Sequence, residues 1–264
     1  MRISGLLATL AGLALAVPTY AQNLSGLPDP LVADRPDFTE STQTIEPGHV
    51  QVESGFTFSR FGEEESQSLG EVLARIGVGE RVEARLGVGS YGRIDPGFAG
   101  AGTVSGYEDP FVGLKVRLNE SDPDLRPPGR PAMSLLFSTS IPVGDDELTA
   151  DEWQPEAKLL LAWDLPWFSL SSNLIYGYPV DGDDRFHQFG ATLSASFALT
   201  DRIGMFVETF GFDKESANGS STQYVDGGVS FSVFNDLQLD ARVGFGLDDP
   251  SPNWFAGIGA AVRF

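Results

Sequence analysis

From His49 onward apolar and polar residues alternate with a period of two, and the pattern is clearest at the end of the chain. Leu237, Leu239, Ala241, Val243, Phe245 and Leu247 interleave with Gln238, Asp240, Arg242, Gly244 and Gly246. After the turn DDPSP, Trp254, Ala256, Ile258, Ala260, Val262 and Phe264 interleave with Phe255, Gly257, Gly259, Ala261 and Arg263. In a strand such alternation sends successive side chains to opposite faces. Each run lasts about eleven residues, whereas a globular strand usually runs about five or six. That length suits a tilted strand crossing a bilayer, with its apolar face toward lipid and its small or polar face toward a lumen.

Ten further segments repeat the pattern: 49–60, 69–78, 82–92, 107–118, 132–141, 153–164, 167–178, 186–198, 203–213 and 223–234. The sequence therefore predicts an all-β transmembrane protein, an antiparallel up-and-down β-barrel of about 12 strands. An even count brings both ends of the barrel to one side. The connections GER, LP, TDR and ND are short and alternate with longer ones, as periplasmic turns alternate with extracellular loops. NESDPDLRPPGRP (119–131) is long on the short side, either as a periplasmic excursion or through a shifted count. Phe58, Trp153, Trp163, Trp167, Tyr176, Tyr178 and Trp254 fall near strand ends, where interfacial girdles form.

The one uninterrupted apolar run, Leu6 to Val17, follows Arg2 and precedes Ala21. It reads as a secretory signal peptide over 1–21, too short to span a membrane itself. Residues 22–48 are rich in Pro, Asp, Ser and Thr without alternation and form an N-terminal periplasmic segment in this reading, leaving 49–264 as the barrel. Absence of Cys excludes disulfides, thiolate chemistry and a lipidated N-terminal Cys. A net charge of −20 argues against nucleic acid as a partner.

The segments ADRPDFTESTQTIEPGHVQVESGFTFS (33–59), YEDPFVGLKVRL (107–118) and LQLDARVGFGLDDPSPNWFAGIGAAVRF (237–264) resemble the outer-membrane transporter family labelled "putative MetA-pathway of phenol degradation". The likeness extends over nearly the whole chain after the signal peptide. It implies an outer-membrane barrel that passes small molecules, aromatic ones among them. The terminal Phe264, with apolar residues at alternate positions before it, resembles the signal read by the outer-membrane assembly machinery.

Charges on the polar face are the candidate pore lining: Glu53, Glu71, Arg75, Glu83, Arg85, Asp109, Lys115, Arg117, Glu156, Lys158, Glu208, Asp226, Asp240, Arg242 and Arg263. In a narrow lumen, charges of both signs are expected to pair across neighbouring strands, since isolated charges there are costly. They make either a weakly selective polar pore for small solutes or a network that plugs and stiffens the barrel. Acidic clusters fall in the predicted outer loops: Glu63 to Glu65, Asp145 to Glu147 with Asp151 and Glu152, Asp181 with Asp183 and Asp184, and Asp248 with Asp249. They suit a solvated surface, or divalent cations bridging lipopolysaccharide phosphates, though neither DGDD nor DDELTADE has calcium-loop spacing. His187 and Ser172 share an outward face but are offset by several residues, too far for a nucleophile and its base. No motif calls for a cofactor or an enzymatic reaction. The alternative to a channel is a structural or adhesion barrel acting through its acidic loops, or a soluble exported β-sandwich.

Overall fold

The computed structural model describes residues 27, 29–98, 100, 102–121 and 129–264. The predicted signal peptide lies outside the described residues. The strands are β1 (Val50–Phe61), β2 (Glu64–Gly79), β3 (Val82–Gly87), β4 (Tyr91–Asp95), β5 (Val104–Tyr107), β6 (Phe111–Asn119), β7 (Ala132–Ser140), β8 (Pro155–Asp164), β9 (Ser169–Gly177), β10 (Val180–Asp181), β11 (Asp184–Arg185), β12 (Gln188–Ala198), β13 (Ile203–Phe212), β14 (Thr222–Phe234), β15 (Leu237–Gly246) and β16 (Trp254–Arg263).

Twelve of these form the wall. Following antiparallel pairing from β1 through β2, β3, β6, β7, β8, β9, β12, β13, β14 and β15 to β16 returns to β1, where Gln51 faces Arg263 and Arg60 faces Trp254. The closed ring leaves no wall strand with an open edge, the condition for satisfying backbone groups in lipid. β10 and β11 form a small hairpin of their own.

The outward rows are those the alternation assigns to lipid. Val78, Leu86, Leu114, Phe137, Leu174, Leu193, Val207, Val229, Val243 and Ile258 are all exposed. A belt of this size has no place on a soluble surface. Inside, the packing is inverted: Arg75, Lys115, Gln51, Glu53, Glu83 and Asn173 are fully buried, with Leu160 among the few apolar side chains as deeply placed.

The wall departs from regular pairing near the short-turn end, at Gly77 to Gly79, Arg117 to Asn119 and Ser232 to Phe234, and once in mid-wall. Between β1 and β2 the register jumps, from Glu53 opposite Leu73 to Gly55 opposite Gly70. The displaced residues take positive φ, 107° at Gly70 and 42° at Glu71. Beside this bulge the predicted strand 82–92 divides into β3 and β4, and β5 and β6 are separated by residues 108–110. β4 and β5 continue upward as a hairpin against the outer half of β2, Tyr91 facing Leu69. GEEESQS, a predicted loop, is strand from Glu64, so the β1–β2 turn is only Gly62 and Glu63. The long connection between β6 and β7 lies on the short-turn side, and because β6 and β7 pair directly the strand count is unshifted across it.

Candidate functional site

The described part of the segment that the sequence assigns to the periplasm is packed inside the barrel. It enters at the short-turn end, where the Leu31 N–H donates to the Asn235 carbonyl (2.6 Å) and Arg263 donates to the Asp29 carbonyl (2.6 Å). It crosses the lumen, turns over at residues 37–40, and returns to the same end, where Gly48 donates to the Gly77 carbonyl (2.9 Å). The result is a loop that fills the channel from below.

Asp34 is the anchor of this loop. Its carboxylate accepts from Arg85 (2.6 Å), Lys115 (3.0 Å) and the Ser41 backbone and hydroxyl (2.9 and 2.7 Å), with Arg75 3.5 Å away. Burial pushes the Asp34 carboxyl up, but Arg75, Lys115 and Arg85 outweigh it and hold it well below the usual carboxylate range. Arg75 continues the network into the wall, pairing with Glu53 and Glu83 at 3.0 Å each and donating to the loop carbonyls of Val32 (2.9 Å) and Gln43 (3.0 Å). Glu53 also accepts from the backbone of Asp34 and Arg35, so one wall carboxylate grips the loop and the strand together.

A second crossing is made by Glu40, which pairs with Lys158 (2.9 Å) and Arg85 (3.1 Å). Burial raises its carboxyl, yet Arg85 and Lys158 bring it down to about 2. Arg35 reaches the other way, to Glu71 (2.7 Å) and Asp240 (3.5 Å). It lies across Gly55 and Gly259, which face each other in the β1–β16 register; a Cβ on either would overlap its guanidinium.

Most of the sequence-predicted lining charges thus meet in one network with the loop. Glu53, Glu71, Arg75, Glu83, Arg85, Lys115 and Lys158 touch it through ion pairs or hydrogen bonds, with Glu156 beside Lys158 (3.1 Å). Across the lumen Asp240, Arg242 and Glu208 also hold the loop, at Arg35, the Pro36 carbonyl and the Phe38 and Thr39 N–H groups, with Asp226 opposite Glu208, and Arg263 pairs with Asp236 at the lower rim (2.9 Å). Two others do different work. Asp109 ties down the loop after β7, accepting from the backbone of Val143 and Gly144 and the hydroxyl of Thr149. Arg117 holds the lower rim through the Glu80 carbonyl (2.8 Å). The partners Asp34, Arg35, Asp37 and Glu40 are absent from the sequence-predicted set because nothing in local periodicity places residues 33–41 inside a barrel. His187 stacks on Tyr178 and shares a 2.9 Å hydrogen bond with Tyr176, away from Ser172.

The loop leaves two cavities on the β12–β15 side. The lower, about 370 Å³, is lined by Leu31, Asp37, Ser171, Ser196, Ser230 and Gln238, near the short turns. The upper, about 410 Å³, lies near the long loops and is walled by Phe38, Phe210, Phe212, Tyr224 and Phe255. Phe38 stacks on Phe210 (4.5 Å between centroids) and Phe210 on Tyr224 (4.6 Å). Asp37 and Phe38, at the apex of the loop, therefore separate the two spaces.

The return limb tests the docking directly. A Cβ on Gly77 would overlap the Glu46 carbonyl, and backbone cannot rotate aside as a side chain can. Gly77→Ala is expected to release the limb, whereas Gly79→Ala, whose closest neighbour is the Val82 Cβ at 3.9 Å, leaves it in place. A cysteine at Thr44, in a chain with none of its own, reports the difference as faster labelling by a polar maleimide.

The family described as "Putative MetA-pathway of phenol degradation" matches residues 33–264. Among solved structures, the fold is similar to the COG4313 outer membrane channel from Pseudomonas putida F1, at 14% identity and TM-score 0.67, covering 84% of this chain and 98% of that one. It is also similar to the NanC porin, at 10% identity and TM-score 0.53, covering 81% and 98%. These likenesses are of fold. No curated protein matches the chain.

Proposed function

Because the chain belongs to the MetA-pathway of phenol degradation family and folds as an outer-membrane barrel, we propose that it is a passive channel for small solutes, aromatic ones included. The observation that carries this reading is the pair of cavities flanking the loop apex, an aromatic vestibule above and a serine-lined space below. A flat apolar ring is favoured by the stacked faces of Phe38, Phe210 and Tyr224. The luminal charges would line the constriction, with residues 29–48 as its internal stopper. In this reading residues 1–21 are an export signal, 22–48 form the stopper and its approach, and 49–264 form the wall.

The apolar belt supports a lipid environment, and the acidic outer loops supply oxygens for cation bridges to lipopolysaccharide. Phe264, exposed beside Val50 at the closing seam, supports recognition by assembly machinery. The second reading, a structural barrel with a plugged lumen, is favoured by the density of ion pairs on the loop. Planar-bilayer conductance together with liposome swelling in aromatic and aliphatic solutes separates the two. The channel reading expects swelling and discrete conductance from folded protein; neither would be seen if the loop never yields.

A further inference from the structure

On the β12–β14 side the lumen holds three carboxylates with no cation, among the described residues, within ion-pair distance, although the Arg242 guanidinium is near enough to Asp226 to act on its charge. Glu208 and Asp226 face each other in the β13–β14 register, and Asp37 reaches from the loop apex to the Ser194 hydroxyl (3.0 Å). Glu208 is held by neutral donors, the N–H groups of Phe38 (2.6 Å) and Thr39 (2.7 Å) and the Thr39 hydroxyl. Asp226 is 4% exposed, and among the described residues neither of its oxygens has a hydrogen-bond partner.

The contrast with the opposite side is one of charge. Arg75, Arg85, Lys115 and Lys158 each have carboxylates within ion-pair distance, so their charges are spent within the docked network. Among the described residues, none of Asp37, Glu208 and Asp226 has such a partner. The guanidinium on this side, Arg242, donates to the Pro36 carbonyl (3.0 Å) and the Thr57 hydroxyl (3.3 Å) and lies over Phe255. Like carboxylates gathered out of bulk water cannot all ionise without a counter-cation or a shared proton.

Their position gives that demand a use. Asp37 lines the lower cavity while its neighbour Phe38 lines the upper; Glu208 holds the backbone of Phe38 and Thr39 from the wall, with Asp226 opposite it, so the two wall acids lie behind the divide between the spaces. Ring faces in the upper space attract cations. We propose that Asp37, Glu208 and Asp226 form a cation-binding constriction that makes the barrel cation-selective. Its occupant is a small monovalent cation, an alkali ion or a protonated amine. Among the described residues no group of three His, Cys, Asp or Glu is arranged to hold a metal ion, which favours transient pairing over chelation. The selectivity part rests on the channel reading; the binding part does not.

Reversal potentials across a KCl gradient test it. The wild type is expected to prefer K⁺ over Cl⁻ several-fold, and the isosteric pair Glu208→Gln and Asp226→Asn to bring the ratio toward unity. Asp37→Asn, which leaves both wall acids intact, is expected to fall between them. Replacing K⁺ by benzylammonium separates the two sources of cation: retained current assigns the site to amines as well, and lost current to alkali ions. A ratio at or below unity in the wild type, or an unchanged ratio in the double variant, overturns the proposal. Should the protein carry no current, the channel reading fails and the site is judged by thermal unfolding in detergent, with K⁺ exchanged for N-methylglucamine at constant ionic strength. Stabilisation by K⁺ in the wild type but not in the double variant supports binding. Indifference to K⁺, or a response to pH alone, identifies a shared proton and overturns it.

Discussion

Asp34→Ala is expected to undock the internal loop and raise single-channel conductance severalfold while the barrel stays folded. The carboxylate is the meeting point of Arg75, Arg85 and Lys115, and it also closes the turn at Ser41. Removing one partner of a buried ion pair costs about 3–5 kcal/mol, because the remaining charges are stranded. Here the cations recover water only if the loop leaves, so the cost falls on docking rather than on the wall. At 1.4 kcal/mol per factor of ten, the ratio of docked to undocked loop falls by roughly a hundredfold or more. Labelling of the Thr44 cysteine should accelerate in parallel with conductance. Asp34→Asn retains the turn and loses the charge, so it should lie between. Unchanged conductance and labelling in the alanine variant would contradict an anchoring role.

Arg75→Met is expected to have the largest effect on the wall itself. The guanidinium is fully buried and bridges Glu53 of β1 to Glu83 of β3 across its own strand. Its loss leaves two carboxylates facing each other with Arg85 and Lys115 as the remaining cations, and about 3–5 kcal/mol of stability is lost. The urea midpoint of refolding into lipid, followed by the heat-modifiable gel shift, reads that loss. Adding Glu83→Gln should restore part of it, since one stranded charge is removed and residues in a single network do not behave additively. A double variant as unstable as the sum of its parts would mean that Arg75 acts through packing alone.

Much of this molecule is legible in the chain. Period-two alternation held for about a dozen residues specifies a strand, its lipid face and its luminal face at once, because a shift of one residue would turn every apolar side chain inward. Leu239, Val243 and Ile258 outside, with Asp240, Arg242 and Gly259 inside, are where the alternation puts them. The bulge at Gly70 and Glu71 was less visible. A bulge depends on how two strands pair, and the split of the predicted 82–92 segment follows from that pairing.

The closing hairpin by itself determines the kind of wall and the direction of its faces, and the ten alternating segments before it give the even strand count that returns the chain to its start. What fills the wall was decided only by tertiary structure. ADRPDFTES carries no alternation, and its acids and arginine could equally be solvated; the pairing of β2, β3 and β6 sets Arg75, Arg85 and Lys115 side by side, and closure of the twelve strands buries them around one point. Buried charges there require a counter-charge from somewhere, and Asp34 is the side chain the chain can bring to them. The register of β13 and β14 sets Glu208 and Asp226 opposite one another with no cation, among the described residues, within ion-pair distance, a property that neither strand shows alone.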